Sequence, residues 1–140
     1  MPEERAPIEL YDIEEAVQKL RYVLGDRSFE EIERDFVLKA AAERFVEIIS
    51  EASRRIKPAW KAEHPEVPWP KVAGIGNVLR HEYRYVKLHA ILELRKIDLA
   101  VLEAAVAHLM QKYDREGVLL RERLRAAGEL PLPPSSKKPD

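Results

Sequence analysis

The sequence predicts an all-α protein, a bundle of four or five helices. Apolar residues recur along much of the chain at alternating steps of three and four, which is the spacing of one face of an amphipathic helix. No stretch alternates polar and apolar residues as a half-buried strand would, and no internal repeat is present. With 140 residues, 46% of them hydrophobic and 35% charged, the chain suits one globular domain built from such helices.

The first predicted helix carries its apolar side chains on one face, at Leu10, Ile13, Val17, Leu20 and Leu24. Gly25 follows immediately, and a glycine commonly ends a helix because it tolerates a left-handed backbone conformation. Ser28 and Glu31 are spaced as a capping box. A second helical segment is therefore predicted to begin at Ser28.

A long helix is predicted from Asp35, which caps it, to about Lys57. Its inward face is predicted to hold Val37, Ala41, Phe45, Ile48, Ile49, Ala52 and Ile56. Pro58 cannot lie inside this helix, because proline lacks the amide hydrogen and its ring clashes with the preceding turn. It can, however, start a short helix of its own.

Three prolines between residues 65 and 70 predict an extended connection, with Trp69 as its apolar anchor. A helix is predicted to follow from about residue 70 to residue 85. The last helix of the bundle is predicted from about residue 89 to residue 112, with an inward face made of Ile91, Leu94, Ile97, Val101, Leu102, Ala105 and Leu109.

The composition changes after residue 112. Residues 113–127 are rich in arginine and glutamate and are predicted to extend the last helix or to form another. Residues 128–140 hold several prolines and a Ser-Ser-Lys-Lys run, which predicts a flexible tail. The globular domain is predicted to span residues 8–112.

Charge and cysteine content exclude several classes of function. The chain has 24 Lys plus Arg against 25 Asp plus Glu, so any contact with RNA must come from a local basic patch. It has no cysteine, which excludes disulfides and cysteine-based zinc sites and fits a reducing compartment. It has neither an apolar signal core nor an apolar run of the ~20 residues that span a bilayer. A cytoplasmic protein without membrane contact is predicted.

Residues 67–83 contain the densest group of polar and ionisable side chains, namely Asn77, Arg80, His81, Glu82 and Tyr83. On a helix, Asn77 and His81 lie four residues apart and share one face, and Arg84 lies one turn beyond His81. Histidine commonly transfers protons near neutral pH, and guanidinium groups bind phosphate oxygens. The cluster indicates a site that binds a phosphodiester and moves a proton during its cleavage.

Structural interpretations of the same residues remain open. A His-Glu pair on a charged helix is most often solvated surface, and Gly74 and Gly76 are equally compatible with close helix–helix packing. No Gly-Lys-Ser/Thr sequence accompanies these glycines, so they form no phosphate loop. The basic residues at 54, 55 and 57 are interpreted as a solvated edge.

Metal and serine chemistry are not supported. The four histidines are scattered along the sequence and form no His-Glu-x-x-His pair. The serines at 28, 50 and 53 lie in ordinary helical or capping positions, so no Ser-His-Asp arrangement is indicated.

Two segments resemble the signature of the HepT-like proteins of the HEPN superfamily: residues 64–69, His-Pro-Glu-Val-Pro-Trp, and residues 74–83, Gly-Ile-Gly-Asn-Val-Leu-Arg-His-Glu-Tyr. Residues 49–52 resemble the family's Ile-Gly-Glu-Ala element, and residues 94–102 resemble its closing leucine-rich helix. The order of the elements also matches. The resemblance covers residues 8–112.

The resemblance implies a helical bundle that dimerises through the motif-bearing helices. It also implies a metal-independent endoribonuclease, without a cofactor, that serves as the toxin of a toxin–antitoxin pair. The partner would be a small nucleotidyltransferase that adenylylates the tyrosine after the motif histidine. On this chain, His81 would be the catalytic histidine, Asn77 the polar residue of the motif, and Tyr83 the modified tyrosine.

The chain departs from the family motif at Gly76, where the family has an arginine. Losing a guanidinium that stabilises charge on the phosphate typically costs on the order of a hundredfold in rate. Arg80 and Arg84 are the candidate replacements, and Arg84 is preferred because it lies closer to the stripe of His81.

The Gly76 departure leaves three functions open. The first is a ribonuclease toxin that works through one of these arginines. The second is a catalytically lapsed dimer that binds a nucleotidyltransferase, a nucleotide or RNA, and the third is a helical scaffold whose polar cluster is plain surface. If the missing arginine limits catalysis, Gly76→Arg is expected to raise the rate.

Overall fold

A computed structural model describes residues 8–81, 84–93, 99–114 and 117, without the side chains at 84–86 and 93. These residues form helices and no strand, which confirms the all-α class. The helices are α1 (Ile8–Leu24), α2 (Phe29–Arg34), α3 (Phe36–Arg54), α4 (Pro58–Ala62), α5 (Trp69–His81), α6 (Arg84–Glu93) and α7 (Leu99–Tyr113). The predicted tail at 128–140 and all of the predicted extension except Tyr113, Asp114 and Gly117 lie outside the described residues.

Helix α3 is the centre of the bundle. It packs against α1 and α5, and α1 also packs against α7. The predicted inward face of α1 is confirmed, because all five of its predicted apolar residues are fully buried. Apolar burial of this kind stabilises a bundle by roughly 25 cal/mol for each Å² removed from water. None of the described helices is both long enough and apolar enough to cross a bilayer.

Local capping sets the predicted helix boundaries. The Ser28 side chain accepts a hydrogen bond from the amide of Glu31 at 3.2 Å and starts α2. The Asp35 carboxylate accepts hydrogen bonds from the amides of Val37 and Leu38 at 3.0 and 3.1 Å and starts α3. Gly25, after α1, has a φ of +50°, which is the left-handed conformation that favours glycine. The starts of these helices and the end of α1 are confirmed.

Two sequence predictions about helices were wrong. The helix boundary expected between residues 85 and 89 is absent, because α6 runs through it and buries Leu88, Ile91 and Leu92 on one face. Val37 was expected in the core but is 60% exposed. The buried face of α3 begins only at Ala42, so the first turn of the helix projects past the core.

Two tryptophans hold the connection between α3 and α5 in place. Trp60, in α4, is fully buried, and its ring stacks on Tyr113 of α7 with the centroids 4.2 Å apart. Trp69 is the apolar anchor that the sequence predicted, and it is 8% exposed. Its indole N–H donates to the carbonyl oxygens of Lys61 and His64, each at 3.1 Å. These contacts fix where α5 begins.

The same connection is tied to α7 by polar contacts. His64 Nδ1 lies 2.7 Å from Glu66 Oε1, and His64 Nε2 lies 2.8 Å from Nδ1 of His108. The fold thus brings together two histidines that lie 44 residues apart in the sequence. Glu63 accepts hydrogen bonds from Lys112 at 2.9 Å and from Tyr113 at 2.6 Å.

The Glu63 contacts predict a pH dependence of stability. Hydrogen bonds from Tyr113 and Lys112 lower the pKa of Glu63 below its usual value of 4.5. A carboxyl whose pKa is lowered by folding stabilises the protein fully above its unfolded pKa, and this contribution is lost as the pH falls through the folded pKa. We expect Glu63→Gln to lower the urea midpoint at pH 7, and we expect this effect to shrink as the pH falls below 4.5. A difference that stays constant over this range would contradict the assignment.

Candidate active site on helix α5

Helix α5 separates buried packing residues from exposed polar ones. Its buried side consists of Trp69, Val72, Ile75, Gly76 and Leu79, which pack toward the core. Asn77, Arg80 and His81 are all exposed. Since Asn77 and His81 are four residues apart on one helix, they share a face, and Arg80 lies on the adjacent stripe.

The three exposed side chains are available to a ligand. Among the residues that the structure describes, no hydrogen bond or ion pair engages the side chains of Asn77, Arg80 or His81. Tyr83 lies outside the described residues. Arg84 is the first residue of α6, but its side chain is not described, so the preference for Arg84 over Arg80 stays a prediction.

Gly76 is a point of close contact between α5 and α3. Its amide donates to Ser50 Oγ at 3.1 Å, and that hydroxyl donates to the carbonyl oxygen of Ala73 at 2.8 Å. A Cβ at position 76 would lie 2.7 Å from Ser50 Oγ and 3.2 Å from Ser50 Cβ. The packing interpretation is therefore correct for Gly76. It does not hold for Gly74, where a Cβ would meet nothing within 4 Å.

The two positions at which the motif resemblance leads us to expect other residues meet at this contact. The resemblance implies an arginine at position 76 and a glycine at position 50, where this chain has Gly76 and Ser50. The serine fills the space that a side chain at 76 would need. Gly76→Arg alone therefore forces α3 and α5 apart or displaces Ser50, and we expect an arginine at position 76 to be better tolerated together with Ser50→Gly.

Arg54 also belongs to the surroundings of α5, which sequence analysis missed. Its Nε and Nη2 atoms donate to the carbonyl oxygen of Ala73 at 3.2 and 2.8 Å. Residue 54 is exposed, as the solvated-edge interpretation predicts, but its guanidinium also binds the backbone of α5, which that interpretation did not include. The sequence signal for this contact was the position of Arg54 four residues after Ser50, which places both residues on the same face of α3.

An open groove of about 290 Å³ lies beside Arg80. Arg44 and Arg55 line it together with Arg80, and so do four carboxylates, those of Glu9, Asp12, Glu47 and Glu51. The groove is therefore mixed in charge. Within the described residues, no three histidine or acidic side chains are grouped as ligands for a metal ion.

Comparison with known proteins identifies the family to which this chain belongs. Residues 13–109, which include all of α5, match the protein family described as Ribonuclease HepT-like. The chain belongs to the HepT-like ribonuclease family. The family resemblance seen in the motif segments is confirmed, and the ribonuclease interpretation is supported.

Curated relatives of this HepT-like chain carry ribonuclease names. "Putative RNase TTE0752" of Caldanaerobacter subterraneus is 36% identical over 85 residues, which are 61% of this chain and 76% of the relative. "Putative RNase MJ1380" of Methanocaldococcus jannaschii is 30% identical over 69% of this chain and 89% of its own length. "Probable ribonuclease HepT" of Thermococcus cleftensis is 33% identical over 67% of this chain and 86% of its own length. No solved structure matches at a significant level.

The Ser50–Gly76 contact in this HepT-like site predicts opposite effects at the two glycines of α5. Gly→Ala in an open helix position stabilises by up to about 1 kcal/mol, which we expect for Gly74→Ala. Gly76→Ala is expected to destabilise instead, by roughly 1–2 kcal/mol, because the new methyl group overpacks against Ser50. Urea unfolding of both variants measures the difference.

Ser50→Gly supplies the matched control, because it removes the side chain that the new methyl group meets. We expect Gly76→Ala to be better tolerated with Ser50→Gly than without it, so that the two changes are coupled in a double-mutant cycle. A Gly76→Ala variant as stable as Gly74→Ala would show that Ser50 moves aside without a loss of stability. The contact would then not constrain position 76.

Proposed function

We propose that this chain is an endoribonuclease that cleaves RNA without a metal ion, using His81 as the proton-transfer group. The observation that carries the proposal is the exposure of His81, Asn77 and Arg80 at one end of α5, each without a partner among the described residues. Membership in a ribonuclease family supports the same activity.

The chemistry needs one nucleophile from the substrate and one proton carrier from the protein. The ribose 2′-oxygen attacks the adjacent phosphorus while the bond from phosphorus to the 5′-oxygen breaks. His81 either accepts the 2′-hydroxyl proton, in which case water supplies the proton of the departing 5′-oxygen, or donates the proton to the 5′-oxygen while water accepts that of the 2′-hydroxyl. Asn77 donates its amide hydrogen to a phosphate oxygen, and a guanidinium stabilises the charge that develops there. The products are a 2′,3′-cyclic phosphate and a 5′-hydroxyl.

Cleavage in the presence of a chelator tests this function. Purified protein with excess EDTA is expected to cut a single-stranded RNA and to leave 2′,3′-cyclic phosphate ends. The same oligonucleotide with 2′-deoxyribose throughout is expected to remain intact, because it lacks the attacking oxygen. An uncut RNA, or cutting of both oligonucleotides, would contradict the proposed mechanism.

We further propose that the protein is the toxin of a toxin–antitoxin pair and acts as a homodimer formed through the motif-bearing helices. The resemblance of its motifs supports this role, in which a small nucleotidyltransferase transfers adenylate from ATP to the Tyr83 oxygen and releases pyrophosphate. Co-expression with a nucleotidyltransferase encoded beside the gene is expected to add the mass of adenylate to Tyr83. A Tyr83→Phe variant that gains the same mass would exclude this residue as the target.

One observation favours a second function. Position 76 has no room for the motif arginine while Ser50 is present, so a lapsed site that binds RNA or the nucleotidyltransferase without cutting is the alternative. If the protein slows the migration of an RNA oligonucleotide in a native gel but does not cleave it, this result would support the binding role.

A further inference from the structure

We propose that Arg80 is the phosphate-binding arginine of this site and that Gly76, held against Ser50, leaves the space that Arg80 uses. The inference rests on the proposed ribonuclease function and identifies which guanidinium serves it. The sequence favoured Arg84 instead, whose side chain the structure does not describe.

The position of the Arg80 guanidinium supports this assignment. Its Nη1 atom lies 3.5 Å from the point where a Cβ of Gly76 would be. Side chains on a helix lean toward its N-terminus, so an arginine at 80 extends naturally over the residue one turn earlier. The guanidinium therefore occupies space that a long side chain at position 76 would itself enter. An exposed arginine thus takes the place of a side chain that position 76 would accommodate only if Ser50 moved.

Each of the three neighbouring arginines has a partner of its own, although two of these contacts are long and exposed ion pairs. Arg54 uses Nε and Nη2 on the carbonyl oxygen of Ala73. Arg55 lies 3.9 Å from Glu51, and Arg44 lies 3.6 Å from Glu47.

Arg80, by contrast, makes no hydrogen bond or ion pair with the described residues. A guanidinium whose donors are open can bind two oxygens of one phosphate in a fork geometry. Of these four arginines, Arg80 is the one whose guanidinium has no hydrogen bond or ion pair with the described residues and can bind a phosphate in this way.

The charges around Arg80 decide on which side the phosphate lies. Four carboxylates and only two further arginines line the groove next to Arg80, so its charge balance is negative and disfavours a phosphate on that side. Asn77 and His81 lie on the adjacent stripe of the same helix and carry no negative charge. A phosphate held by Arg80 is therefore placed beside His81, where proton transfer is needed.

Binding measurements in a His81→Ala background test the assignment without relying on cleavage. The affinity for a short single-stranded RNA is measured by fluorescence anisotropy over a range of salt concentrations. The logarithm of the binding constant K falls linearly with the logarithm of the salt concentration, and removing one phosphate contact makes this slope shallower by about 0.7. We expect this change for Arg80→Ala, and we expect Arg80→Lys to keep the slope while binding more weakly, because it keeps the charge but not the fork.

Arg55→Ala is the matched control, since it removes an equal charge from the same groove. It is expected to leave the slope unchanged. In the otherwise unchanged protein, Arg80→Ala is expected to slow cleavage by about a hundredfold or more, whereas Arg55→Ala should have little effect.

Two results would overturn the assignment. The first is an equal change of slope in Arg80→Ala and Arg55→Ala, which would show a contribution of general charge only. The second is loss of cleavage in His81→Ala with full cleavage in Arg80→Ala, which would leave the ribonuclease function standing without Arg80. A wild-type protein that does not cleave would contradict the ribonuclease function instead, and the salt slope would still decide whether Arg80 binds phosphate.

Discussion

His81→Ala is expected to lower the rate of RNA cleavage by a factor on the order of 10² to 10⁴, which is what positioned proton transfer contributes in enzymes. Without the imidazole, neither the 2′-hydroxyl nor the leaving 5′-oxygen has a proton carrier at this end of α5. The side chain is exposed, so its loss should leave the stability of the fold within about 0.5 kcal/mol. Single-turnover cleavage of a labelled RNA in EDTA measures the effect.

His89→Ala is the control for the loss of an imidazole. His89 is also exposed, but it lies on α6, where its ring stacks on Phe29 with the centroids 4.8 Å apart. We expect cleavage by this variant to stay within a few-fold of the wild-type rate. If His81→Ala and His89→Ala lose activity equally, the effect is not catalytic and His81 is wrongly assigned.

Trp60→Ala is expected to have the largest effect on stability, a loss of about 3–5 kcal/mol. The indole is 2% exposed and stacks on Tyr113, so truncation opens a cavity between α4 and α7 and removes the aromatic pair. The connection that anchors α5 depends on this contact. Urea unfolding followed by circular dichroism measures the loss of stability. If Trp60→Ala is too unstable to purify, Trp60→Phe is measured in its place.

Trp60→Phe keeps an aromatic ring in the same site and is expected to cost clearly less than Trp60→Ala. Tyr22→Ala provides a surface control, because Tyr22 is 41% exposed, and its effect should be small by comparison. A loss below about 1 kcal/mol for Trp60→Ala would show that the site collapses around the smaller side chain and that the packing of α4 on α7 is not essential.

The helices were predictable where their signals are local. Ser28, Asp35 and Gly25 define helix ends through contacts with residues three or four positions away, so a single sequence contains the information. Val37 was misplaced because periodicity gives the direction of a face but not how far the neighbouring helices extend along it. The boundary near residue 87 failed for a similar reason, since the apolar positions fit either of two helix divisions.

The common exposed position of the candidate site residues was predictable from the sequence, but the contacts around them were not. The motif spacing identified Asn77, Arg80 and His81, and the structure places all three on the exposed part of α5. The contact of Ser50 with Gly76 joins residues 26 positions apart, and that of Arg54 with Ala73 joins residues 19 apart. No periodicity or capping rule reports such distances. The sequence therefore indicated that position 76 differs from the resembled motif, but not that a side chain there would meet Ser50.

The central claim is that His81 and Arg80 act on the same phosphate. It is tested most directly by the single-turnover cleavage rates, in EDTA, of the wild type, His81→Ala, Arg80→Ala and the double variant. Residues that act as one unit give strongly non-additive losses. We predict that the wild type cleaves, that each single change lowers the rate at least about a hundredfold, and that the double variant is no slower than His81→Ala alone. Losses that multiply in the double variant, or cleavage that survives His81→Ala, would contradict it.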